Sequence, residues 1–309
     1  MIRVCLFILA LCGGCSLAQG QTASPESSRI RITSTEGSQA DPWCLNRPEV
    51  RDTSYIDAIY LLDYIYDTAQ RRSRTSRMHL QIGPSWIKYY GIRRELEDGL
   101  HTQRQSEKLP FGIVPNIRPS EDIRERQEYA GDRNINGEVW VYRPTGARIV
   151  RYHHLERFDT ALTYEEPEYP VRWELLPHTD SICGYRCHTA RAVVGGRSWT
   201  VWYAPEIPLS YGPWKFSGLP GLILQAEDAA REFRWTCEQI ATAKAPIVWY
   251  EVDCLKWTRK ECLRYFKNYY ASPFSHLQSG FSGNFRVIGS NGKSLDETWT
   301  IPYNPLELE

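Results

Sequence analysis

Apolar and polar residues alternate along two stretches of the N-terminal half, at residues 59–67 and 78–82. A period of two residues is typical of a β-strand that buries one face. The apolar positions are Tyr60, Leu62, Tyr64 and Tyr66 in the first stretch, and Met78, Leu80 and Ile82 in the second. The alternation therefore predicts two strands, the second of which ends at Gly83-Pro84.

Further strand-like segments follow, rich in β-branched and aromatic residues and separated by turn residues. They cover residues 139–142, 148–153, 171–176, 182–194, 197–204, 222–227, 231–240 and 247–254. Arg143 to Gly146 predicts a turn, and Gly195-Gly196 predicts a two-residue hairpin because glycine tolerates positive φ. Many short strands with breakers between them predict a mainly β (α+β) fold, a curved antiparallel sheet or half-barrel.

One segment changes to the helical period. Thr258 and Glu261 have the spacing of a capping box, which predicts the start of a helix. Apolar and aromatic residues then follow at helical spacing until Pro273, namely Cys262, Tyr265, Phe266, Tyr269 and Tyr270. We therefore predict a C-terminal helix.

The first twenty residues have the pattern of a secretory signal peptide, with Arg3, an apolar run at 4–11 and small residues before residue 20. Lipidation at Cys15 is the alternative to ordinary signal cleavage. Downstream, no apolar run approaches the length of a membrane span, so no transmembrane segment is expected. The sequence predicts an exported protein, in the periplasm, associated with the outer membrane, or extracellular. Residues 21–54 are expected to be loosely ordered, and 55–309 to form a single domain.

Charge and cysteine content narrow the function classes. Lys and Arg together number 37, as do Asp and Glu, and this balance argues against a nucleic-acid partner. Outside the signal peptide the cysteines are Cys44, Cys183, Cys187, Cys237, Cys254 and Cys262. An even number in an exported chain predicts at least two disulfides, with the connectivity open. A Cys183–Cys187 pair is disfavoured if both lie on one strand, and Cys254 and Cys262 are the least expected to stay free.

Proline and glycine are concentrated in the segment from Ala204 to Leu224. Pro220-Gly221 predicts a type II turn with positive φ at Gly221, leading into a buried strand. The aromatic residues in and before the segment are Trp202, Tyr203, Tyr211, Trp214 and Phe216. One interpretation is that they fill the core. The other is that they form a binding surface, because proline lowers the entropy lost on binding and Trp and Tyr contribute strongly at interfaces.

The run from Gly212 to Leu224 resembles the signature of the GLPGLI family, also called Porph_ging, exported proteins of Bacteroidota. The matching positions are Gly212, Pro213, Gly218, Leu219, Pro220, Gly221, Leu222 and Ile223. Weaker similarity occurs at residues 64–67, 78–83, 184–187, 196–197, 201–203, 257–259 and 303–308. The resemblance implies export and a β-rich fold. The family has no established activity, so it supplies no catalytic residues.

Ser85 to Lys88 matches the SxxK motif of serine enzymes, but its Lys-Thr-Gly partner motif does not occur, which favours a chance match. There is no GxSxG, HExxH, P-loop or dinucleotide fingerprint. His153 and His154 are adjacent in a predicted strand, so they point to opposite faces and cannot share a metal ion. Glu165, Glu166 and Glu168 form an acidic group that Pro167 and Pro170 interrupt, which predicts a solvated loop. We predict no catalytic residue, metal or cofactor.

Two functional hypotheses follow. The first is a non-enzymatic envelope protein that binds another envelope protein or an apolar ligand, in an accessory role in outer-membrane transport or assembly. The alternative is an envelope hydrolase or metal-dependent enzyme whose site is assembled only in the fold. A deep pocket with converging His, Asp, Glu or Ser favours the enzyme, whereas an open concavity lined by aromatic residues favours binding.

Overall fold

The computed structural model describes residues 5–6, 31–34, 47–92, 137–153, 160–251, 253–280, 285–288, 294–295, 298 and 300–308. The strands within these ranges are β1 (Cys5–Leu6), β2 (Arg31–Ser34), β3 (Arg47–Thr53), β4 (Ile56–Asp67), β5 (Arg72–Ile82), β6 (Trp86–Gly91), β7 (Glu138–Tyr142), β8 (Ala147–His153), β9 (Thr160–Glu166), β10 (Glu174–Ile182), β11 (Tyr185–Val194), β12 (Arg197–Ala204), β13 (Leu222–Asp228), β14 (Phe233–Thr242), β15 (Pro246–Glu251), β16 (Asp253–Lys256), β17 (Phe285–Ile288) and β18 (Ser294–Leu295). The helices are α1 (Arg259–Ala271) and α2 (Pro273–Gly280). The charge-rich stretch at 93–108 and Cys44 lie outside the described residues.

A twelve-stranded sheet dominates the structure, in the order β10-β11-β12-β13-β14-β4-β5-β6-β7-β8-β9-β16. All its neighbouring strands are antiparallel except β9 and β16, which are parallel. The sheet does not close into a barrel. Together with the C-terminal helix, this confirms the predicted mainly β fold.

The inner face of the sheet carries the apolar side of the alternating strands. Tyr60, Leu62 and Leu80 lie there with at most 1% of their surface exposed, as the alternation in β4 and β5 predicts. The largest side chains of this core come from the other half of the sheet, where Trp199 and Trp235 are completely buried. The two halves of the sheet therefore share one core.

The outer face is partly covered by a two-stranded ribbon of β3 and β15. Beneath it, the Arg151 guanidinium donates to a Glu138 carboxylate oxygen and, at 2.7 Å, to the carbonyl of Tyr250. Lys88 Nζ donates to the carbonyl of Val248 at 3.0 Å. These buried cations are satisfied by groups that the ribbon and β7 provide, so the ribbon belongs to the packed structure. A separate small sheet contains β1, β2, β17 and β18.

Helix α1 begins at the predicted capping box. Thr258 Oγ1 accepts from the Glu261 amide at 3.3 Å, and a Glu261 carboxylate oxygen accepts from the Thr258 amide at 2.7 Å. The apolar stripe then packs onto the sheet: the Phe266 ring lies 5.0 Å from that of Tyr152. The helix ends before Pro273, so both predicted boundaries are confirmed.

The strand predicted over 182–194 is confirmed from Tyr185 onward as β11, but Ile182 ends β10, and a turn separates the two strands. Cys183 and Gly184 have φ values of +51° and +81° and form the turn between β10 and β11. The prediction missed this turn because Cys-Gly lacks the Asn or Asp that usually marks a two-residue hairpin. The hairpin at Gly195-Gly196 is confirmed, with φ of +59° and +79°.

Candidate functional site

Residues 205–221, which we call the signature loop, connect β12 to β13 and turn back against the inner face of the sheet. Backbone hydrogen bonds fix its path: the Leu222 amide donates to the Ile207 carbonyl and the Ile223 amide to the Tyr211 carbonyl, each at 2.9 Å. Trp214, with φ of +54°, directs its ring into the core. The rings of Trp199 and Trp235 lie 6.0 and 6.2 Å from it. The loop therefore fills the inside of the half-barrel.

The glycines of the signature loop differ from the predicted turn. Gly218, at φ of +95°, is the loop glycine in the left-handed region, and Gly221 is not among the described glycines with positive φ. The predicted type II turn with positive φ at Gly221 is therefore wrong. A Cβ on Gly221 would lie 2.3 Å from the carbonyl oxygen of Ala204. Glycine is needed there because two backbone segments pass too close for any side chain.

A buried charged cluster ties the signature loop to the opposite half of the sheet. Lys215 Nζ lies 3.0 Å from a Glu166 carboxylate oxygen and 2.7 Å from one of Glu307, and it donates to Tyr164 Oη at 2.9 Å. Glu166 is only 8% exposed, so the prediction of a solvated loop is wrong for this residue. Its partner lies 49 positions away in sequence, and local sequence does not indicate such a pair.

Glu307 also accepts a charged hydrogen bond from Arg259 Nε. Burial by itself raises the pKa of the Glu307 carboxyl, but Lys215 and Arg259 outweigh it and lower that pKa below its ordinary value. Burial raises the pKa of the neighbouring Tyr164 hydroxyl well above its ordinary value. The cluster holds a charged carboxylate between two cations, so the opposite charges are paired within the fold.

The C-terminal strap, residues 301–308, carries Glu307 across the sheet. Arg197, at the start of β12, donates to the Pro305 carbonyl, to Asn304 Oδ1 and to the Asp228 and Glu232 carboxylates. The Asn304 side-chain amide donates in turn to the carbonyl of Ile65 at 2.7 Å. Arg197 and Lys215 thus hold the strap from two sides. The contacts with the strap bring together three segments that resemble the family, at residues 196–197, 212–224 and 303–308.

Among the described residues, little free volume lies between the signature loop and the strands opposite it. The cavity between the loop and β5–β8 measures about 10 Å³, less than a small ligand needs. A larger open groove of about 560 Å³ lies elsewhere and is lined mostly by polar residues of the β4–β5 and β13–β14 ends. Among the described residues, no group of three or more His, Cys, Asp and Glu side chains is placed to hold a metal ion.

The five aromatic residues proposed for binding occupy different environments. Trp214 and Phe216 are in the core with 5% and 2% of their surface exposed, and Tyr203 is buried as well. Trp202 and Tyr211 are half-buried. The structure brings Trp214 and Phe216 together inside the half-barrel and leaves Tyr211 at its rim.

Tyr211 belongs to a wider surface that sequence inspection missed. We call it the aromatic–arginine surface; it consists of Arg51, Tyr55, Trp86, Tyr142, Arg143, Tyr211 and Trp249. The Arg143 guanidinium lies over the rings of Tyr55 and Tyr211, at 5.9 and 5.7 Å, and donates to Tyr55 Oη at 3.0 Å. These residues are dispersed over the sequence, and only the fold brings them together.

The second half of the surface is built in the same way. The Arg51 guanidinium lies 5.8 Å from the Trp86 ring and 5.2 Å from that of Trp249. Tyr142 is 37% exposed and packs against Trp86, with ring centroids 4.9 Å apart. Arginine stacked on aromatic rings is stabilised by cation–π attraction. The surface is therefore partly ordered before any partner arrives.

Asp52 fixes the turn that presents Trp86. One of its carboxylate oxygens accepts from the backbone amides of Ser85 and Trp86, at 2.7 and 2.8 Å. Desolvation raises the pKa of this carboxyl, but these donors, the Thr53 amide and Arg143 together lower it. The turn between β5 and β6 is thus held by a charged cap, which makes the position of Trp86 well defined.

Comparisons with known proteins give a match to one family model and matches to distantly similar structures. The family model described as "Protein of unknown function (Porph_ging)" matches residues 193–225, which confirms the resemblance over β12 and the signature loop. No curated protein matches the sequence.

The structural matches include two structures of PNGF-II. The one in space group P21 has 10% identity and a TM-score of 0.41, and covers 70% of this chain and 32% of that one. The one in space group C2 has 9% identity and a TM-score of 0.45, and covers 71% and 33%. The chain thus spans about a third of the length of these structures. In the described part of the chain, no helix is both long and apolar enough to cross a membrane.

Proposed function

We propose that this chain is an exported, non-enzymatic envelope protein that binds a partner protein on the aromatic–arginine surface, in an accessory role in outer-membrane transport or assembly. The observation that carries the proposal is two groups of Trp and Tyr rings at least partly open to solvent, one stacked with Arg51 and the other with Arg143. Trp, Tyr and Arg are the residues that most often dominate binding energy at protein interfaces.

The packing of the interior supports binding of a partner on the surface rather than binding of an apolar ligand inside the sheet. Trp214 and Phe216 occupy the space where an apolar ligand would have to enter, and the cavity beside them holds only about 10 Å³. Lys215, Glu166 and Glu307 are paired with one another, so they provide structural ion pairs rather than a free acid or base. Within the described residues, the rim offers the better-prepared site.

Preorganisation is the second support. Arg143 is fixed by the Gly83 carbonyl at 2.8 Å and by Tyr55, and the Trp86 turn is fixed by Asp52. Ordering long side chains on binding costs free energy, and side chains that are already held lose less. Arg51 already donates to a Glu49 carboxylate oxygen at 2.8 Å, so the expected partner is a protein that carries a carboxylate for Arg143 and apolar side chains for the rings.

Site-specific photo-crosslinking tests this proposal. A photoreactive phenylalanine analogue placed at Tyr142 should crosslink a defined envelope protein in the native host, and the same analogue at Tyr169 should not. Tyr169 is a matched control because it is also an exposed tyrosine, at 58%, and it is not part of the surface.

A double variant supplies the second arm. Trp86→Ala with Tyr211→Ala should abolish the Tyr142 crosslink while the melting temperature falls by no more than a few degrees. A crosslink that survives the double variant, or equal labelling from Tyr142 and Tyr169, contradicts the proposal.

A further inference from the structure

Two cysteines from distant parts of the chain meet beside the inner face of the sheet. Cys183 lies in the β10–β11 turn with an exposed thiol, and its Sγ donates to the carbonyl of Cys237 at 2.9 Å. The nearby Cys183 also contributes to raising the pKa of the Cys237 thiol. Cys237 is buried on β14, opposite Tyr60 of β4. The two residues are 54 positions apart in sequence.

Four cysteines, Cys183, Cys187, Cys237 and Cys262, are free thiols in this structure. The predicted disulfides are therefore not formed among them, and the bond expected at Cys262 is not present. We propose that Cys183 and Cys237 form a disulfide when the protein meets an oxidising compartment. The bond would link the hairpin at one edge of the sheet to β14, which is separated from that hairpin by β12 and β13 in the strand order.

The reaction needs a disulfide-containing oxidant, such as oxidised glutathione or a thiol–disulfide oxidoreductase. The exposed Cys183, as thiolate, attacks one sulfur of the oxidant and releases the other as a thiolate, which gives a mixed disulfide. Cys237 then loses its proton and attacks the Cys183 sulfur, which releases the second thiol. Two protein thiols are oxidised, one external disulfide is reduced to two thiols, and the two protons pass to those products.

The environments of the two thiols set this order of events. Burial raises the pKa of the Cys237 thiol above its ordinary value, so this thiol is a poor first attacker but can attack a neighbouring mixed disulfide. Cys183 stands in a two-residue turn and faces solvent, where an oxidant can reach it. Backbone of the turn is also easier to adjust than a central strand when the sulfur atoms approach bonding distance.

Cys187 is the competing partner and is less suited. Its Sγ donates to the carbonyl of Tyr185 on its own strand, at 3.6 Å. Burial raises the pKa of the Cys187 thiol to about 11. Cys262 is a buried residue of α1, and burial raises the pKa of its thiol to about 12. Neither thiol is a good first attacker, and because the Cys183 Sγ contacts Cys237, we expect Cys187 and Cys262 to remain thiols.

The test refolds the full chain in an oxidising glutathione buffer and maps the disulfide by mass spectrometry. The expected result is a linked peptide pair that joins Cys183 to Cys237, together with a melting temperature roughly 5–10 °C higher than in the presence of a reductant. Cys183→Ser should remove both the linked pair and the difference. Cys187→Ser is the matched control and should retain both.

Two outcomes overturn the proposal. One is complete alkylation of Cys183 and Cys237 after oxidative refolding. The other is a linked pair that joins either residue to a different cysteine in wild type. Because Cys183→Ser changes an exposed turn residue, loss of folding is not expected; if its melting temperature under reducing conditions differs from wild type, Cys183→Ala serves in its place.

Discussion

At the scale of single residues, the signature loop uses glycine for two different physical reasons. Gly218 adopts φ of +95°, which a side chain disfavours, yet a Cβ added there would lie 3.6 Å from its nearest neighbour, an ordinary contact distance. Gly221 has an ordinary φ but lies against the Ala204 carbonyl. The first glycine avoids torsional strain and the second avoids a collision with backbone, which cannot move without displacing β12.

This difference predicts the order of two alanine substitutions. Gly221→Ala should lower the free energy of unfolding by about 3 kcal/mol, since overpacking against backbone forces a shift of the chain. Gly218→Ala should cost about 1 kcal/mol, the usual penalty of a left-handed conformation. Urea denaturation of both variants checks the order. Equal losses, or a larger loss for Gly218→Ala, would show that the contact with Ala204 does not limit this position.

Substitutions of two aromatic residues of the loop should also differ in how much they lower the free energy of unfolding. Trp214→Ala removes a ring that packs against Trp199 and Trp235, so the free energy of unfolding should fall by about 4 kcal/mol. Tyr211→Ala acts at the rim and should cost less than about 1 kcal/mol. Thermal and chemical denaturation measure both. A mild effect for Trp214→Ala would mean that the interior tolerates a vacancy, contrary to the close packing described above.

At the scale of elements, Arg197 is the main fastening of the C-terminal strap. It donates to Pro305, Asn304, Asp228 and Glu232, and its guanidinium lies 4.6 Å from the Phe233 ring. A planar guanidinium can serve acceptors on several sides at once while stacking on a ring, and an ammonium group cannot. The start of β12 therefore requires arginine, and lysine cannot replace it without losing contacts.

Arg197→Lys should therefore lower the free energy of unfolding by about 2 kcal/mol and make the strap more sensitive to protease. Arg191→Lys is the matched control on the neighbouring strand. Arg191 is 52% exposed and pairs with the exposed Glu174, so its substitution should change stability by less than about 0.5 kcal/mol. Urea denaturation and limited proteolysis provide the readouts. Similar results for the two variants would contradict the fastening role.

The ion pairs of Glu307 predict how stability depends on pH. The pKa of this carboxyl is lowered in the folded state from an ordinary value of 4.5. Its stabilisation is therefore complete above that ordinary value and is lost as pH falls through the lower, folded-state pKa. Glu307→Gln should destabilise the protein at neutral pH by about 3 kcal/mol, because Lys215 and Arg259 lose a buried counter-charge.

In Glu307→Gln, the free energy of unfolding should also change less with pH in the acid range than in wild type. Below pH of about 4 the difference between wild type and Glu307→Gln should shrink, since the wild-type carboxyl is then increasingly protonated. Glu165→Gln, at an exposed position beside Glu166, serves as the control and should leave the curve unchanged. A wild-type advantage that stays constant down to acid pH is the result that would sink this assignment.

At the scale of the whole molecule, the sequence predicted those elements that depend on interactions between residues close together in the chain. The strands β4 and β5, the Gly195-Gly196 hairpin and the capped helix α1 follow from alternation, positive φ and side-chain capping within a few residues. The strand order, the Lys215–Glu166 pair and the aromatic–arginine surface join residues far apart in sequence. The hydrophobic periodicity of the sequence does not indicate such long-range contacts. This explains why Glu166 is predicted in a solvated loop and why Trp86 and Arg143 are not predicted to belong to a binding surface.

The strand order also has a consequence for the order in which the molecule can fold. Strand β4 pairs with β5 on one side and with β14 on the other, so one edge of the first-synthesised half of the sheet stays open until residues 233–242 have appeared. The apolar inner face of that half lacks Trp199, Trp214 and Trp235 until then.

A chain that emerges N-terminus first therefore exposes a long unpaired edge and an uncovered apolar face for most of its synthesis. Such an intermediate is prone to aggregate, and the native contacts that protect it are long-range and slow to form. The edge closes only when β14 pairs with β4, so completion of the core depends on a strand that is made late in synthesis.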